Sequence, residues 1–180
     1  MNGPMLWFLN RGTGIVLLVL MTISVVPGVL SARSRAGGAA PGFVRSLVHR
    51  NVALLAVALL VVHVTSAVVD TYVDIRWWDV VVPWGGLYQP FWLGLGALSF
   101  DLLAAVTITS LLRTRLPHSL WRLVHWVGYL AWGIAVIHGI GIGTDSDAQW
   151  SVALTVACVV AVGLAVVVRV AGTVRKAIRA

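Results

Sequence analysis

The stretch "HRNVALLAVALLVVH", residues 49–63, decides the fold of this chain. It begins and ends with histidine, and almost everything between the two histidines is apolar. A second stretch, "HWVGYLAWGIAVIH", residues 125–138, has the same frame, and the two frames contain four of the five histidines. Long apolar runs are typical of helices that cross a membrane, where ionisable side chains are rare and usually functional. The pattern therefore predicts a membrane bundle whose histidines carry its chemistry.

The composition indicates an integral membrane protein. The chain has 180 residues, of which 59% are hydrophobic and 11% charged, and its mean hydropathy is +0.95. Soluble domains carry about 25% charged residues. No hydrophilic segment is long enough for a second domain, so we expect one domain over residues 1–180. The single cysteine, Cys158, lies in an apolar run and excludes an intrachain disulfide, a CxxC redox pair and a cysteine-based zinc site.

Five apolar runs are long enough, or nearly so, to cross a bilayer, which takes about 20 residues. They cover residues 12–30, 51–69, 91–112, 123–142 and 151–168. Only helices are plausible, because lipid offers no partners to an open backbone. The predicted fold is an all-α integral membrane bundle of about five transmembrane helices, with Pro27 expected to kink or end the first. A cleaved signal peptide is the alternative for the first span, but its start is uncharged and "GVLSA" is a poor cleavage site.

The charges predict the orientation of the bundle. Eleven of the 13 basic residues fall on one side of a five-span topology, within residues 33–50, 113–122 and 169–179. Only Arg11 and Arg76 fall on the other side. That side also carries five aspartates: Asp70, Asp74, Asp79, Asp145 and Asp147. The positive-inside rule then places the N-terminus outside and the C-terminus in the cytoplasm. Because topology explains the net charge of +7, we expect lipid contacts and no nucleic-acid partner.

The four framing histidines form two levels in this topology. Spans two and four run in parallel, so His49 and His125 lie near the cytoplasmic face, and His63 and His138 near the outer face. Separations of 14 and 13 residues place the levels roughly 20 Å apart. Two facing imidazoles suit a metal that brings four equatorial ligands of its own, as haem b does. Zinc would need about four protein ligands at one level.

The 13-residue spacing in the fourth span is the less regular of the two. It corresponds to about 3.6 turns, which turns His138 away from His125 on an ideal helix. We expect a 3₁₀ turn, or curvature near Gly128 or Gly133, to correct this. His118 follows Pro117 in a predicted loop and is interpreted as a surface histidine near the propionates of an inner haem.

Two further stretches complete a family pattern: "RGTGIVLLVLMTISVVPGVLSAR", residues 11–33, and "LLAAVTITSLLRTRLPHSLWRLVHWVGYLAWGIAVIHG", residues 102–139. The second contains a Leu-rich helix ending in Thr-Ser, a short basic loop with Trp121, and a helix of the form Leu-x-x-His…Tyr…His. With the histidine frames, the chain resembles the ferric reductase-like transmembrane domain family. That family includes NADPH oxidases, ferric reductases and the haem subunit of the periplasmic methionine sulfoxide reductase system.

The resemblance implies that His49 and His125 bind an inner b-type haem, that His63 and His138 bind an outer one, and that electrons move outward. Many members have six helices, and the missing helix would be N-terminal here. Full-length reductases carry a flavin and nicotinamide domain. No dinucleotide fingerprint is present here, so we expect a separate flavoprotein or membrane quinol as donor. The acceptor would be ferric iron, oxygen, or an extracytoplasmic flavoprotein or reductase, and the setting a bacterial cytoplasmic membrane.

Two charged residues are further candidates. Arg11 lies at the outer end of the first span, against the local charge bias, and is a candidate partner of the outer haem's propionates; an interfacial anchor is the alternative. Asp101 lies near the middle of the third span, where a charge is costly, and is a candidate proton relay or quinone contact. A competing reading of the whole chain is a transporter or structural bundle that uses its histidines for metal or protons.

Overall fold

The computed structural model describes residues 3–31 and 42–178, which form a helical bundle. The helices are α1 (Gly3–Ser31), α2 (Gly42–Val69), α3 (Pro90–Leu111), α4 (His118–Ile142) and α5 (Gln149–Ile178), with a short 3₁₀ helix at Trp77–Val80. Each α-helix contains a segment long and apolar enough to cross a membrane. No strand occurs within these ranges. The predicted all-α fold with five spanning helices is therefore confirmed.

One predicted helix boundary is wrong, and one of the two effects expected of Pro27 does not occur. His118 is the first residue of α4, capped by Pro117, and not part of a loop, although it is exposed as predicted. A proline is well tolerated where a helix starts, because the amide it lacks would be unpaired there anyway. Pro27 does not end α1, which continues to Ser31. Proline has no N–H to donate, so one backbone carbonyl in the preceding turn lacks its helical hydrogen bond. Membrane helices tolerate this.

The core lies halfway between the two histidine levels. Leu17 and Met21 of α1 are buried against Ala56 of α2, and Trp132 of α4 packs on the same cluster. The Trp132 indole N–H donates to the Thr22 hydroxyl over 3.0 Å, so its one polar group is satisfied inside the bundle. Ala56 is seven residues from both His49 and His63. A packed apolar layer therefore separates the two levels.

The remaining contacts bring the helices together in two pairs. α1 packs along α2 and also contacts α4 and α5, and α3 packs along α4. Cys158 is buried on α5, as a small apolar side chain would be. The α2–α3 and α4–α5 connections lie at one end of the bundle, which we call the outer end after the predicted orientation. Of the basic residues behind that prediction, Arg33, Arg35 and Arg179 lie outside the described residues.

The predicted orientation can be tested with two single cysteines in a Cys158→Ala background. We expect Asp147→Cys, in the exposed α4–α5 connection, to react with a membrane-impermeant maleimide in intact cells. Thr114→Cys, exposed in the α3–α4 connection, should react only after the cells are permeabilised. The positive-inside distribution of arginines is the physical reason. The opposite labelling pattern would show that the bundle is inverted.

Candidate functional site

The inner histidines lie opposite each other across the bundle, with their rings edge to face. The ring centroids of His49 and His125 are 6.0 Å apart, with an interplanar angle of 71°. Two metal–imidazole bonds of about 2.0–2.1 Å on opposite sides of one ion would place ring centroids roughly 6 Å apart. The spacing therefore fits one ion that takes one nitrogen from each helix, as the two predicted histidine levels require.

The outer histidines share open space. His63 and His138 both line two cavities at the outer end, with about 670 and 1480 Å³ of empty space including their open mouths. Six apolar residues contribute to both walls: Leu17, Met21, Ala67, Ile75, Leu93 and Ala135. Within residues 3–31 and 42–178, no three His, Cys, Asp or Glu side chains converge as a metal site. The donor set suits a cofactor that needs only two axial ligands.

The hydrogen bonds of the outer rings determine which nitrogen is free. The His63 Nδ1 lies 3.0 Å from the backbone carbonyl oxygen of Asn10, and the His138 Nδ1 lies 2.7 Å from the backbone carbonyl oxygen of Trp92. A carbonyl only accepts, so each Nδ1 carries the proton and each Nε2 keeps its lone pair. Metal-binding histidines almost always donate their other N–H in this way. Both outer rings are therefore held in the tautomer that binds a metal through Nε2.

The inner level is built differently. The His125 Nδ1 is buried and has no hydrogen-bond partner among the described residues, and the same holds for the Trp121 indole nitrogen. The His125 ring stacks on Trp121, with centroids 5.1 Å apart and planes 23° apart, and the Arg113 guanidinium lies 4.7 Å above the Trp121 ring. His118 is also close, 5.5 Å from Trp121. Ring stacking and a cation–π contact hold His125 in place of a hydrogen bond.

The 13-residue spacing in α4 is not corrected by a 3₁₀ turn. α4 is α-helical from His118 to Ile142, so the expected 3₁₀ turn is absent, and curvature near Gly128 or Gly133 stays a prediction. Thirteen residues rotate His138 by roughly 140° from His125. His125 faces His49 on α2, whereas His138 bonds to Trp92 of α3. The second histidine thus lies against a different helix from the first.

Arg11 lies in the wall of the larger cavity, which it shares with His63 and His138. Its Nε donates to the Asp145 carboxylate over 3.1 Å, and its side chain is 18% exposed. The predicted site residue is thus near the outer histidines but already ion-paired. This pair also ties α1 to the α4–α5 connection.

Asp101 lies apart from the histidine levels. It is half-buried on α3, contributes to neither cavity wall and makes no hydrogen bond to the described residues. No contact therefore supports a role as proton relay or quinone partner, which stays a prediction.

Asn10 is the residue that the sequence analysis missed. Its side-chain amide donates to the His63 carbonyl over 2.8 Å and to the Ser66 hydroxyl over 3.3 Å, while its own carbonyl accepts from the His63 ring. The sequence signal for Asn10 is weak, because it stands beside Arg11 and just before the predicted first span. The role of Trp92 has no sequence signal, since it acts through its backbone carbonyl.

The α2–α3 connection folds over the outer cavities. Ile75 and Asp79 line the smaller cavity, and Asp79 is 2% exposed. The Arg76 guanidinium bonds both carboxylate oxygens of Asp79, at 3.1 and 2.9 Å, and donates to the Gly85 carbonyl. Hydrogen bonds from Arg76 hold the pKa of the Asp79 carboxyl below its usual range, despite the opposing effect of desolvation. The same bonds raise the pKa of Arg76.

We expect the Asp79→Asn variant to loosen this cover. Folding lowers the pKa of Asp79, so its stabilisation is present above the ordinary value near 4 and is lost as the pH falls through the lowered value. Amide hydrogen exchange across residues 76–85 in nanodiscs should rise roughly tenfold at neutral pH, the scale of one lost charged hydrogen bond. Asp74→Asn, at an exposed position, is the control. Equal exchange in both variants would contradict a bracing role.

The sequence also matches a known protein family. The family model described as ferric reductase like transmembrane component matches residues 13–137, more than half of the chain. The matched segment contains His49, His63 and His125, and it ends directly before His138. Searches of curated proteins and of solved structures give no significant match.

Proposed function

The chain belongs to the ferric reductase-like transmembrane family, and we propose that it passes electrons across the membrane through two b-type haems, as the membrane subunit of an oxidoreductase. Membership of the family indicates transmembrane electron transfer by a membrane redox module that works with other redox partners. We propose a bacterial cytoplasmic membrane as its setting. The number of haems, the ligands and the direction of transfer are the parts that the proposal adds.

One observation supports the proposal above the others. His63 and His138 approach a common cavity from two helices, and each has its Nδ1 proton committed to a backbone carbonyl. Lipid offers these N–H groups no partner, so helix carbonyls accept both protons and neither Nε2 carries one. This is the arrangement that axial ligation requires.

The histidines, the apolar layer between them and Arg11 have different roles in the proposed electron transfer. The Nε2 atoms of His63 and His138 would hold the outer haem, and His49 and His125 would hold the inner one. Haem b supplies a one-electron ferric–ferrous couple when bound. The apolar layer around Leu17 excludes water between the levels. Arg11, although paired with Asp145, adds positive charge to the wall of the larger outer cavity.

The two ends of the bundle differ in charge, and this suggests their partners. Arg113, Arg115 and Arg122 are exposed at the inner end, where an acidic flavoprotein surface or a membrane quinol would deliver electrons. The outer end carries the aspartates of the connections. Ferric iron, oxygen, or an extracytoplasmic flavoprotein or reductase would accept electrons there.

A transporter that moves metal or protons is the second candidate. Metal transport without a cofactor would need several protein ligands at one level. The described residues offer no such group of three. The pairwise arrangement therefore favours the haem proposal.

The first experiment is a dithionite-reduced minus oxidised spectrum of the purified protein, with haem counted per chain. We expect a b-type α-band and two haems, falling to one in His63→Ala and in His49→Ala, because each level loses one of two axial ligands. Carbon monoxide should bind poorly to the native protein, since neither iron has an open axial position.

His118→Ala is the matched control, because His118 is an exposed histidine on the same helix as two of the proposed ligands. It should retain both haems. Protein expressed with ample haem that contains none would contradict the proposal and favour the transporter candidate. Strong carbon monoxide binding to the native protein would contradict bis-histidine ligation.

The proposed role of Arg11 predicts opposite shifts in two variants. Arg11→Ala removes a positive charge near the outer iron and should lower its midpoint potential by on the order of 50 mV, about a tenfold change for one electron. Asp145→Asn leaves Arg11 without its counter-charge and should raise that potential. Redox titration of both variants measures this. Unchanged potential and occupancy in Arg11→Ala would make Arg11 an interfacial anchor only.

A further inference from the structure

Each outer histidine ring is in close contact with a glycine. A β-carbon added to Gly14 of α1 would lie 3.0 Å from the His63 Cε1 and 3.3 Å from its Nδ1. A β-carbon added to Gly96 of α3 would lie 2.5 Å from the His138 Cε1 and 2.8 Å from its Nδ1. Neither position leaves room for a methyl group without movement of the ring.

The glycine and the hydrogen-bond acceptor have the same spacing in both places. His63 bonds to the carbonyl of Asn10 and packs on Gly14, four residues later. His138 bonds to the carbonyl of Trp92 and packs on Gly96, again four residues later. Residues four apart lie above one another on one helix face. In each helix pair, the first helix thus presents one carbonyl and one bare turn to a histidine of the second.

We propose that Gly14 and Gly96 are positioning residues that, with the carbonyls of Asn10 and Trp92, fix the two outer axial ligands before the cofactor binds. This inference depends on the proposed function for the identity of the cofactor. The carbonyl fixes the direction of the Nδ1–H bond, and the glycine turn limits the tilt of the ring about that bond. Together they aim Nε2, because the terminal torsion of histidine is otherwise broad.

The inner level has no such arrangement among the described residues. The His125 Nδ1 has no partner there. The tight glycine on the inner half of α1, Gly28, would meet the Tyr129 hydroxyl and not a histidine. The outer site is preformed, whereas stacking holds the inner one. We therefore expect glycine-to-alanine substitutions beside the outer rings to affect only the outer site.

The two glycines predict effects of different size. Contacts under 3.0 Å are essentially never made by real β-carbons, so Gly96→Ala must displace the His138 ring and weaken its 2.7 Å bond to Trp92. At Gly14 a shift of a few tenths of an ångström is enough. Gly12 is the matched control on α1, and Gly133 on α4, because an added β-carbon meets nothing within 4 Å at either position.

The test is haem content and low-temperature EPR of the oxidised protein in the four alanine variants. The largest g-value of a low-spin bis-histidine haem depends on the angle between its two ring planes, so it reports ligand orientation directly. The His63→Ala variant identifies the outer signal. We expect Gly96→Ala to shift or remove the outer signal, with an affinity loss on the order of 10–100-fold, while the inner signal is unchanged. Gly14→Ala should shift the outer signal less.

The inner signal serves as the internal control for folding. Gly12→Ala and Gly133→Ala should give the wild-type spectrum. An outer signal that is unchanged in both Gly96→Ala and Gly14→Ala would overturn the inference. Should Gly96→Ala lose both haems, the milder Gly14→Ala decides, and an equal change of both signals in that variant would also overturn it. A wild-type protein without haem would instead contradict the proposed function, which separates the two failures.

Discussion

An imidazole N–H inside a bilayer has no water to bond to, and the outer half of this protein is arranged around that constraint. Both outer histidines donate Nδ1 protons to helix carbonyls. A carbonyl oxygen has two lone pairs, so it can accept this bond and its own helical bond together. These hydrogen bonds require each ring to come close to a neighbouring helix, so α1 must pack beside α2 and α3 beside α4. Gly14 and Gly96 provide that closeness.

The same constraint explains why the two levels differ. At the outer end the rings are half-buried among helices, and they donate hydrogen bonds to the backbone carbonyls of neighbouring helices. At the inner end, where α4 begins, His125 lies under Trp121 and Arg113, and its Nδ1 is left without a protein partner. One site is held by rigid backbone and the other by side chains at a helix start. In the proposed function, the more rigid site delivers electrons and the more adaptable one receives them.

Much of the fold could be predicted because the membrane simplifies the problem. Apolar length alone identifies the spans, so no tertiary knowledge was needed for the five helices. The distribution of arginines predicts which loops face the cytoplasm. The errors arose where a local rule met a tertiary context. Pro27 was expected to kink or end the first helix, and the end does not occur there, because α1 continues to Ser31. The 13-residue spacing predicted a 3₁₀ turn or curvature near Gly128 or Gly133, and α4 contains no 3₁₀ turn.

The sequence by itself determined the spans, the charge asymmetry and the two histidine levels, since these follow from composition and from spacing along one helix. Only the tertiary structure decided which helix each ring contacts, that Arg11 is paired with Asp145, and that Asn10 and Trp92 hold the outer rings. The physical reason is that backbone carbonyls are identical at every position. A sequence pattern can place a donor at a given depth, but only helix packing selects the carbonyl that lies within 3 Å of it.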